Sequence, residues 1–280
     1  MKKAKVKIPA KINLTLDISG VENGYHVLES LVASVDIFDT VTVKKRKDEI
    51  LNLQFNGMPI GINGNKSNAY RAAERFKKEF ATGGADIYIE RDIPASAGLG
   101  GSSADIAGVL LAMQKLYDVK KDLTFIANEL GSDVAYMLKG GYAVMRGRGD
   151  KVENVTGIKR KFYLNIITAN QGVSTAESYN GYDRIGRLYP KNTSAAVKLL
   201  KDDDAENFLS VLKNDLFISS AQILPEISKN VDKLKKYGTA LMTGSGSAVY
   251  GIYKTKKERN KAFKALKKEY GERIKKAQTL

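Results

Sequence analysis

Residues 92–113 read DIPASAGLGGSSADIAGVLLAM, and the way this stretch folds decides how the rest of the chain is read. Gly98, Gly100 and Gly101 precede Ser102 and Ser103, after which Ile106, Val109, Leu110, Met113 and Leu116 recur at helical spacing through residue 117. The pattern predicts a strand ending near Ile93, a glycine loop, and a helix that opens at the two serines. Glycines allow close backbone approach and positive φ, and the unpaired amides of a helix N-terminus present partial positive charge to an anion. On local pattern the segment is one of two things. It is a phosphate cradle whose Ser102 and Ser103 hydroxyls serve phosphate oxygens or Mg2+, or it is a glycine-rich connection ended by a serine N-cap. The chain has no GxxxxGK followed by Ser or Thr, no GxGxxG, and no HRD and DFG pair. P-loop enzymes, Rossmann dehydrogenases and protein kinases are therefore disfavoured.

Working outward, residues 4–18 alternate in character. Ile12, Leu14, Leu16 and Ile18 fall on one strand face, and Lys11, Asn13, Thr15 and Asp17 on the other. Further strands are expected at 35–43 and 85–91, with a helix over NAYRAAERFKKEF between them. Downstream, a helix over 122–130 has Asp122 as its N-cap, and GSDVAYML opens a short one after Gly131. The polar stretch RGRGDKVENVTGIKRK, 146–161, is the expected boundary between an N-terminal domain, 1–157, and a C-terminal domain, 158–280. Beyond it come a strand (FYLNIITA), helices near 193–200, 204–213 and 225–236, and ALMTGSGSAVYGIY as strand, glycine turn and strand. A final basic helix ends the chain. Without strict βαβ alternation, α+β is favoured over a doubly wound sheet.

Composition narrows the chemistry. The 280 residues contain no cysteine and one histidine, His26, so thiolate chemistry, iron–sulfur clusters and two-histidine zinc sites are out. Catalysis must rest on carboxylates, lysines, hydroxyls and backbone dipoles. Net charge is +15, but 11 Lys/Arg against 3 Glu lie between Lys254 and Leu280. A solvated basic helix face accounts for that as well as a nucleic-acid surface does, and no aromatic motif of an RNA-binding domain accompanies it. No run approaches the roughly 20 apolar residues of a membrane span, and the N-terminus reads as a strand rather than a signal peptide. A cytoplasmic protein, monomer or homodimer, with neither nucleic acid nor membrane as partner, is expected.

Each remaining candidate has two readings. Lys11 sits mid-strand beside Asn13, either stabilising charge on an attacking oxygen or simply solvated. Asp133 is either a carboxylate poised to take a proton from a hydroxyl or a helix N-cap. Tyr25 and His26, in GYH, suit base stacking and hydrogen bonding, or are a turn tyrosine and a satisfied histidine. TGSGS, 243–247, either packs against the first glycine loop or is a plain hairpin turn.

Their order along the chain narrows the choice. AKINLTLDISGVENGYHVLESLVASVDIFDTVTV, PASAGLGGSSAD, LGSDVAYMLKGG with GRGDKV, GVSTAESY and TGSGSAVYG together resemble the GHMP small-molecule kinases from about residue 4 to 253. The resemblance implies an α+β fold in two parts, a ribosomal-protein-S5-like N-terminal domain and a ferredoxin-like C-terminal domain, with the active site in the cleft between them. It implies ATP and Mg2+ as cofactors, and the N-terminal block with GVSTAESY points to a cytidine-diphosphate-linked alcohol as acceptor. By the same resemblance, Lys11 and Asp133 match the catalytic pair. Pro94, Ala97, Gly98, Leu99, Gly100, Gly101, Ser102, Ser103, Ala104 and Asp105 match the triphosphate loop, and residues 65–70 the adenine pocket. Asn13, Thr175, Gly244, Ser245 and Gly246 match substrate-contacting positions, while Tyr25, His26 and Tyr179 match residues that stack on and read the cytosine. The chain departs from the family pattern at Ala135, where proline is usual, at Ser67, where asparagine is usual, in the GLGGSSAD form of the loop, and in the VENG turn.

Overall fold

The structure, a computed structural model, describes residues 2–22, 24–56, 66–186 and 189–280. The chain begins with strands β1 (Lys3–Asn13), β2 (Thr15–Glu22), β3 (Tyr25–Lys45) and β4 (Leu51–Asn56), then α1 (Asn68–Phe80) and β5 (Ala85–Glu90). After the glycine loop come α2 (Gly101–Tyr117), α3 (Thr124–Leu130), α4 (Val134–Lys139), β6 (Tyr142–Gly147), β7 (Lys151–Asn154) and β8 (Tyr163–Ile167). Helices α5 (Thr175–Ile185), α6 (Thr193–Lys201) and α7 (Ala205–Val211) lead to β9 (Lys213–Asn214), α8 (Phe217–Ile223) and α9 (Glu226–Lys235). The chain closes with β10 (Thr239–Met242), β11 (Val249–Tyr253), α10 (Lys256–Tyr270) and β12 (Ile274–Gln278). The fold is α+β, as the interspersed pattern predicts, and no helix among the described residues is long and apolar enough to cross a membrane.

Two compact units divide the chain, one of Met1–Ala10, Ile37–Pro94 and Gly100–Gly140, the other of Lys11–Asp36, Ala95–Leu99 and Gly141–Leu280. In the first unit β5 pairs parallel with β4 and antiparallel with residues 40–45 of β3. Helix α1 buries Ala69, Ala72, Ala73 and Phe76, and its N-cap Ser67 accepts from the Tyr70 amide at 3.1 Å. Helix α2 is buried nearly all round, from Ala104 through Leu116, because α1, α3 and α4 pack against it as well. Gly108 is required there, since a Cβ would lie 2.5 Å from Val41 Cγ2.

In the second unit, residues 28–33 of β3 pair antiparallel with β6, and β2 pairs with β3 and, in parallel, with β9. A separate antiparallel sheet runs β10-β11-β8-β12, with α9 and α10 packed on it. Leu16, Ile18, Ile167, Leu234, Met242, Val249, Leu266 and Ile274 share its core, each such side chain contributing about 1.5–3 kcal/mol by leaving water.

Three expectations change. The 4–18 strand is two strands broken at Leu14, and from Lys11 to Ile18 both faces are buried, Lys11, Asn13, Thr15 and Asp17 included, whereas Lys5 and Lys7 remain exposed. Part of the polar 146–161 stretch forms the β6–β7 hairpin, turned by Gly147 and Gly149 at φ 69° and 95°. The basic C-terminal helix stops at Tyr270. The chain then pairs with β8 as the edge strand β12, whose Ile274 and Ala277 are buried while Lys275 and Lys276 remain outside the core.

Candidate active site

In the second unit Asn13, at the end of β1 and bonded to Lys11, meets the TGSGS turn. Lys11 and Asn13 are each 5% exposed, and the Lys11 ammonium donates to Asn13 Oδ1 at 2.8 Å. That same oxygen accepts from the Gly244 amide at 3.0 Å and the Thr243 hydroxyl at 3.3 Å. Asn13 Nδ2 donates to Ser30 Oγ at 2.8 Å, its amide donates to Thr243 Oγ1 at 3.1 Å, and its carbonyl accepts from the Tyr250 hydroxyl at 2.7 Å. Burial pushes the Tyr250 phenol far above its usual range, so it serves as a permanent donor. A buried ammonium is tolerated only with partners. Lys11 is thus no solvated strand lysine.

The glycine loop meets the same turn. Leu99 carbonyl accepts from the Lys11 amide at 3.0 Å, and Ala97 carbonyl from the Ala248 amide at 3.1 Å. Gly98, at φ 75°, would place a Cβ 2.3 Å from the Thr243 carbonyl, so only glycine fits. The TGSGS segment is therefore both a hairpin turn, between β10 and β11, and a surface packed on residues 97–99. Across the turn, Thr175 Oγ1 lies 3.0 Å from Ser245 Oγ, and the Ser245 carbonyl accepts from Ser220 Oγ at 3.0 Å. Gly246 points at the core instead, where a Cβ would meet Met242 Sδ at 2.9 Å.

In the first unit, α2 opens with Gly100 at φ 79° in the N-cap position and no side chain bonded to the cap. The serine N-cap is therefore not formed. Ser102 is exposed, Ser103 half-buried, Ala104 and Asp105 buried, and Pro94 half-buried. Gly101 packs on Ile93, where a Cβ would come within 3.3 Å. Asp133 occupies the N-cap position of α4 without making a side-chain capping bond, so capping does not account for it. Ala135 is the second residue of that helix. Proline is tolerated there because a first-turn amide lacks an intrahelical partner anyway, and alanine keeps the same backbone path. Ser67 is the α1 cap, Asn68 to Tyr70 begin that helix, and residue 65 lies outside the described residues, as does Asn23 of the VENG turn.

A third group forms on β3 and α5, also in the second unit. The His26 ring stacks on Tyr179 with centroids 4.6 Å apart and planes at 28°, and meets Tyr182 edge-on at 6.3 Å. His26 Nε2 lies 2.8 Å from Asp183 Oδ1. Tyr25 is 52% exposed, with the Arg148 guanidinium 3.7 Å from its ring centre. Asp183, Tyr182 and Arg148 do not stand out in the sequence. The available signal is helical spacing: Asp183 lies four residues after Tyr179 and so shares its face of α5.

Residues 67–143 match the family described as GHMP kinases N terminal domain, and 196–272 match GHMP kinases C terminal. The chain is 38% identical, over 90% of its length and 88% of the relative's, to 4-diphosphocytidyl-2-C-methyl-D-erythritol kinase of Desulfitobacterium hafniense (strain Y51). It is 32% identical, over 95% of its length and 96% of the relative's, to the kinase of the same name from Clostridium beijerinckii. A crystal structure of 4-(cytidine 5'-diphospho)-2C-methyl-D-erythritol kinase superposes with TM-score 0.84 at 30% identity, covering 98% of both chains. Homoserine kinase from Cytophaga hutchinsonii superposes with TM-score 0.75 at 19% identity, covering 100% of this chain and 95% of the other, which speaks to the fold alone. The fold and the glycine-loop helix are those of an ATP-using small-molecule kinase. The chain belongs to the GHMP kinase family.

Proposed function

We propose that this protein transfers the γ-phosphate of ATP to the 2-hydroxyl of 4-diphosphocytidyl-2-C-methyl-D-erythritol, a step of non-mevalonate isoprenoid precursor synthesis, in the cytoplasm. The single observation that carries the acceptor is the aromatic cluster of His26 stacked on Tyr179 beside an exposed Tyr25. It offers flat faces and a hydrogen-bonding ring edge to a base, which an acceptor without a base does not need. Names of relatives at 30–38% identity support the same reading. The division into domains 1–157 and 158–280 belongs to it as well.

In-line phosphoryl transfer asks mainly for positioning and charge stabilisation. The acceptor oxygen forms a bond to Pγ as the bond from Pγ to the bridging oxygen breaks, ADP leaves, and Asp133 takes the hydroxyl proton. Lys11 stabilises the attacking oxygen. Residues 94–105 supply loop amides and the α2 N-terminus to the triphosphate, and Asn13, Thr175, Gly244, Ser245 and Gly246 shape the acceptor side. No cluster of three or more metal-ligating side chains occurs among the described residues. The exposed Ser102 hydroxyl at a helix start nonetheless fits an ion carried mostly by phosphate oxygens. Ser102 or Ser103 would supply the protein's oxygen to Mg2+, which when bound would neutralise polyphosphate charge.

A coupled assay of ADP release with a panel of alcohols tests the assignment. Turnover is expected with the cytidylylated methylerythritol and not with homoserine, mevalonate or free sugars. Folded protein with Mg2+ and ATP that ignores the cytidylylated acceptor but phosphorylates another member would make it a diverged GHMP kinase for that alcohol.

A further inference from the structure

His26 has two ring nitrogens, and the protein occupies one of them. Nε2 lies 2.8 Å from Asp183 Oδ1, while Nδ1 makes no hydrogen bond among the described residues. The ring lies on Tyr179, with centroids 4.6 Å apart and planes at 28°, and meets Tyr182 edge-on at 6.3 Å. Stacking fixes the plane of an imidazole but not which edge faces outward, because the ring turned over offers its neighbour the same area. The bond to Asp183 breaks that symmetry. All four residues belong to the second unit.

The chemistry of the pair places the proton. An ionised carboxylate only accepts, so Nε2 is the donor. In the neutral ring Nδ1 then carries a lone pair and accepts. Asp183 has no other side-chain partner among the described residues. Its side chain is 51% exposed and that of His26 16%, so the carboxylate can follow the ring as it adjusts to a ligand. Helix stability does not account for Asp183. It lies in the last turn of α5, where a negative charge opposes the helix dipole and a cation such as the neighbouring Arg184 suits it.

We propose that Asp183 is a positioning residue that keeps the proton of His26 on Nε2, so that Nδ1 accepts from the base and the site selects a pyrimidine with an exocyclic amine over one with a carbonyl in that place. This rests on the reading of Tyr25, His26 and Tyr179 as the base subsite. The 4-amino group of cytosine donates to Nδ1. The 4-oxo group of uracil would meet it lone pair to lone pair. Two acceptors set against each other lose a hydrogen bond and stay desolvated, and a site built to bond a polar group rejects the mismatch more strongly than an apolar wall rejects a missing methylene. With the proton on Nδ1 instead, the preference would reverse. The bond at one ring nitrogen sets which tautomer the other presents, and here a carboxylate makes that bond.

His26 is the only histidine of the 280 residues, so protein labelled with 15N in histidine reports a single ring. At about pH 8.5, where a neutral imidazole prevails, ligand-free wild type is expected to show Nε2 as the protonated, pyrrole-type nitrogen and Nδ1 as the pyridine-type one. Asp183→Ala is expected to move both shifts towards a mixture of tautomers. In turnover, wild type is expected to favour the cytidylylated acceptor over its uridylylated counterpart by about a hundredfold or more in kcat/KM. Asp183→Ala is expected to cut that ratio by about tenfold, through KM rather than kcat. Asp183→Asn, whose amide can donate to Nε2 as well as accept from its N–H, is expected to raise turnover of the uridylylated acceptor above that of wild type.

A protonated Nδ1 in wild type would overturn the proposal. So would a ratio of the two acceptors left unchanged by Asp183→Ala, since equal losses on both are what a merely structural residue produces. Neither acceptor turned over, while homoserine or mevalonate is phosphorylated and the ring keeps its proton on Nε2, would instead overturn the base subsite, and the role of Asp183 with it.

Discussion

Every polar atom of Asn13 has a partner inside the protein, whereas half of the Tyr25 surface is open to solvent under an arginine. Both residues belong to the unit that contains Lys11, and both are proposed to touch the acceptor. Around Asn13, segments 230 residues apart in sequence are locked by buried hydrogen bonds, so the geometry holds before any ligand arrives. Around Tyr25 and His26, the contacts are a stack, one bond to the half-exposed Asp183 and a cation over a ring. A ligand can displace contacts of that strength. Chemistry that tolerates little positional error rests on the over-determined region, and recognition of a flat base rests on the adaptable one.

Substitutions that separate the two regions sharpen this contrast. Lys11→Ala should have the largest effect, lowering kcat by about a thousandfold or more if its charge acts on the transition state. ATP affinity should hardly change, and a kcat within tenfold of wild type would break the assignment of Lys11. Asn13→Ala comes next. It leaves the Gly244 amide without its buried acceptor, at about 1–3 kcal/mol for a group left unsatisfied, while the Ser30 and Thr243 hydroxyls keep the Thr15 and Gly98 carbonyls. Denaturant unfolding should show that loss together with reduced turnover.

His26→Ala should act on recognition alone. The KM for the cytidylylated acceptor should rise about ten- to a hundredfold for the loss of one hydrogen bond and one stack, with KM for ATP and unfolding midpoint near wild type. A drop in stability as large as that of Asn13→Ala would show that the aromatic cluster is structural. Arg148→Ala should do least, shifting the acceptor KM by at most about fivefold, as suits an exposed cation over a ring.

Legibility in the sequence followed the range of the interactions. Helix α2 and the glycines before it were readable because a 3.6-residue period and a positive φ are local properties. Edge strand β12 was not, because IKKAQ has too few apolar residues to announce itself and is held by its partner β8. GVSTAESY marks a family motif without announcing helix α5, although Ser174 caps that helix by accepting from the Glu177 amide. The bond between Asn13 and Thr243 gave no signal, since 230 residues separate the two. Nor did Asp183 and Arg148, which acquire meaning only beside His26 and Tyr25.

By itself, the sequence determined the α+β class, the glycine-loop helix, the order of the family's motifs, and the absence of cysteine and multi-histidine chemistry. Those are properties of composition and of short windows. Tertiary structure decided which of each residue's two readings applies. It buried Lys11 and Asn13 at the end of β1, so that Lys11 is a partnered ammonium. It left Asp133 at a cap position without a capping bond, and it turned Asp105 inward onto Arg91. The reason is physical: burial and charge pairing depend on what covers a side chain, and that cover comes from distant segments whose identity a local pattern does not contain.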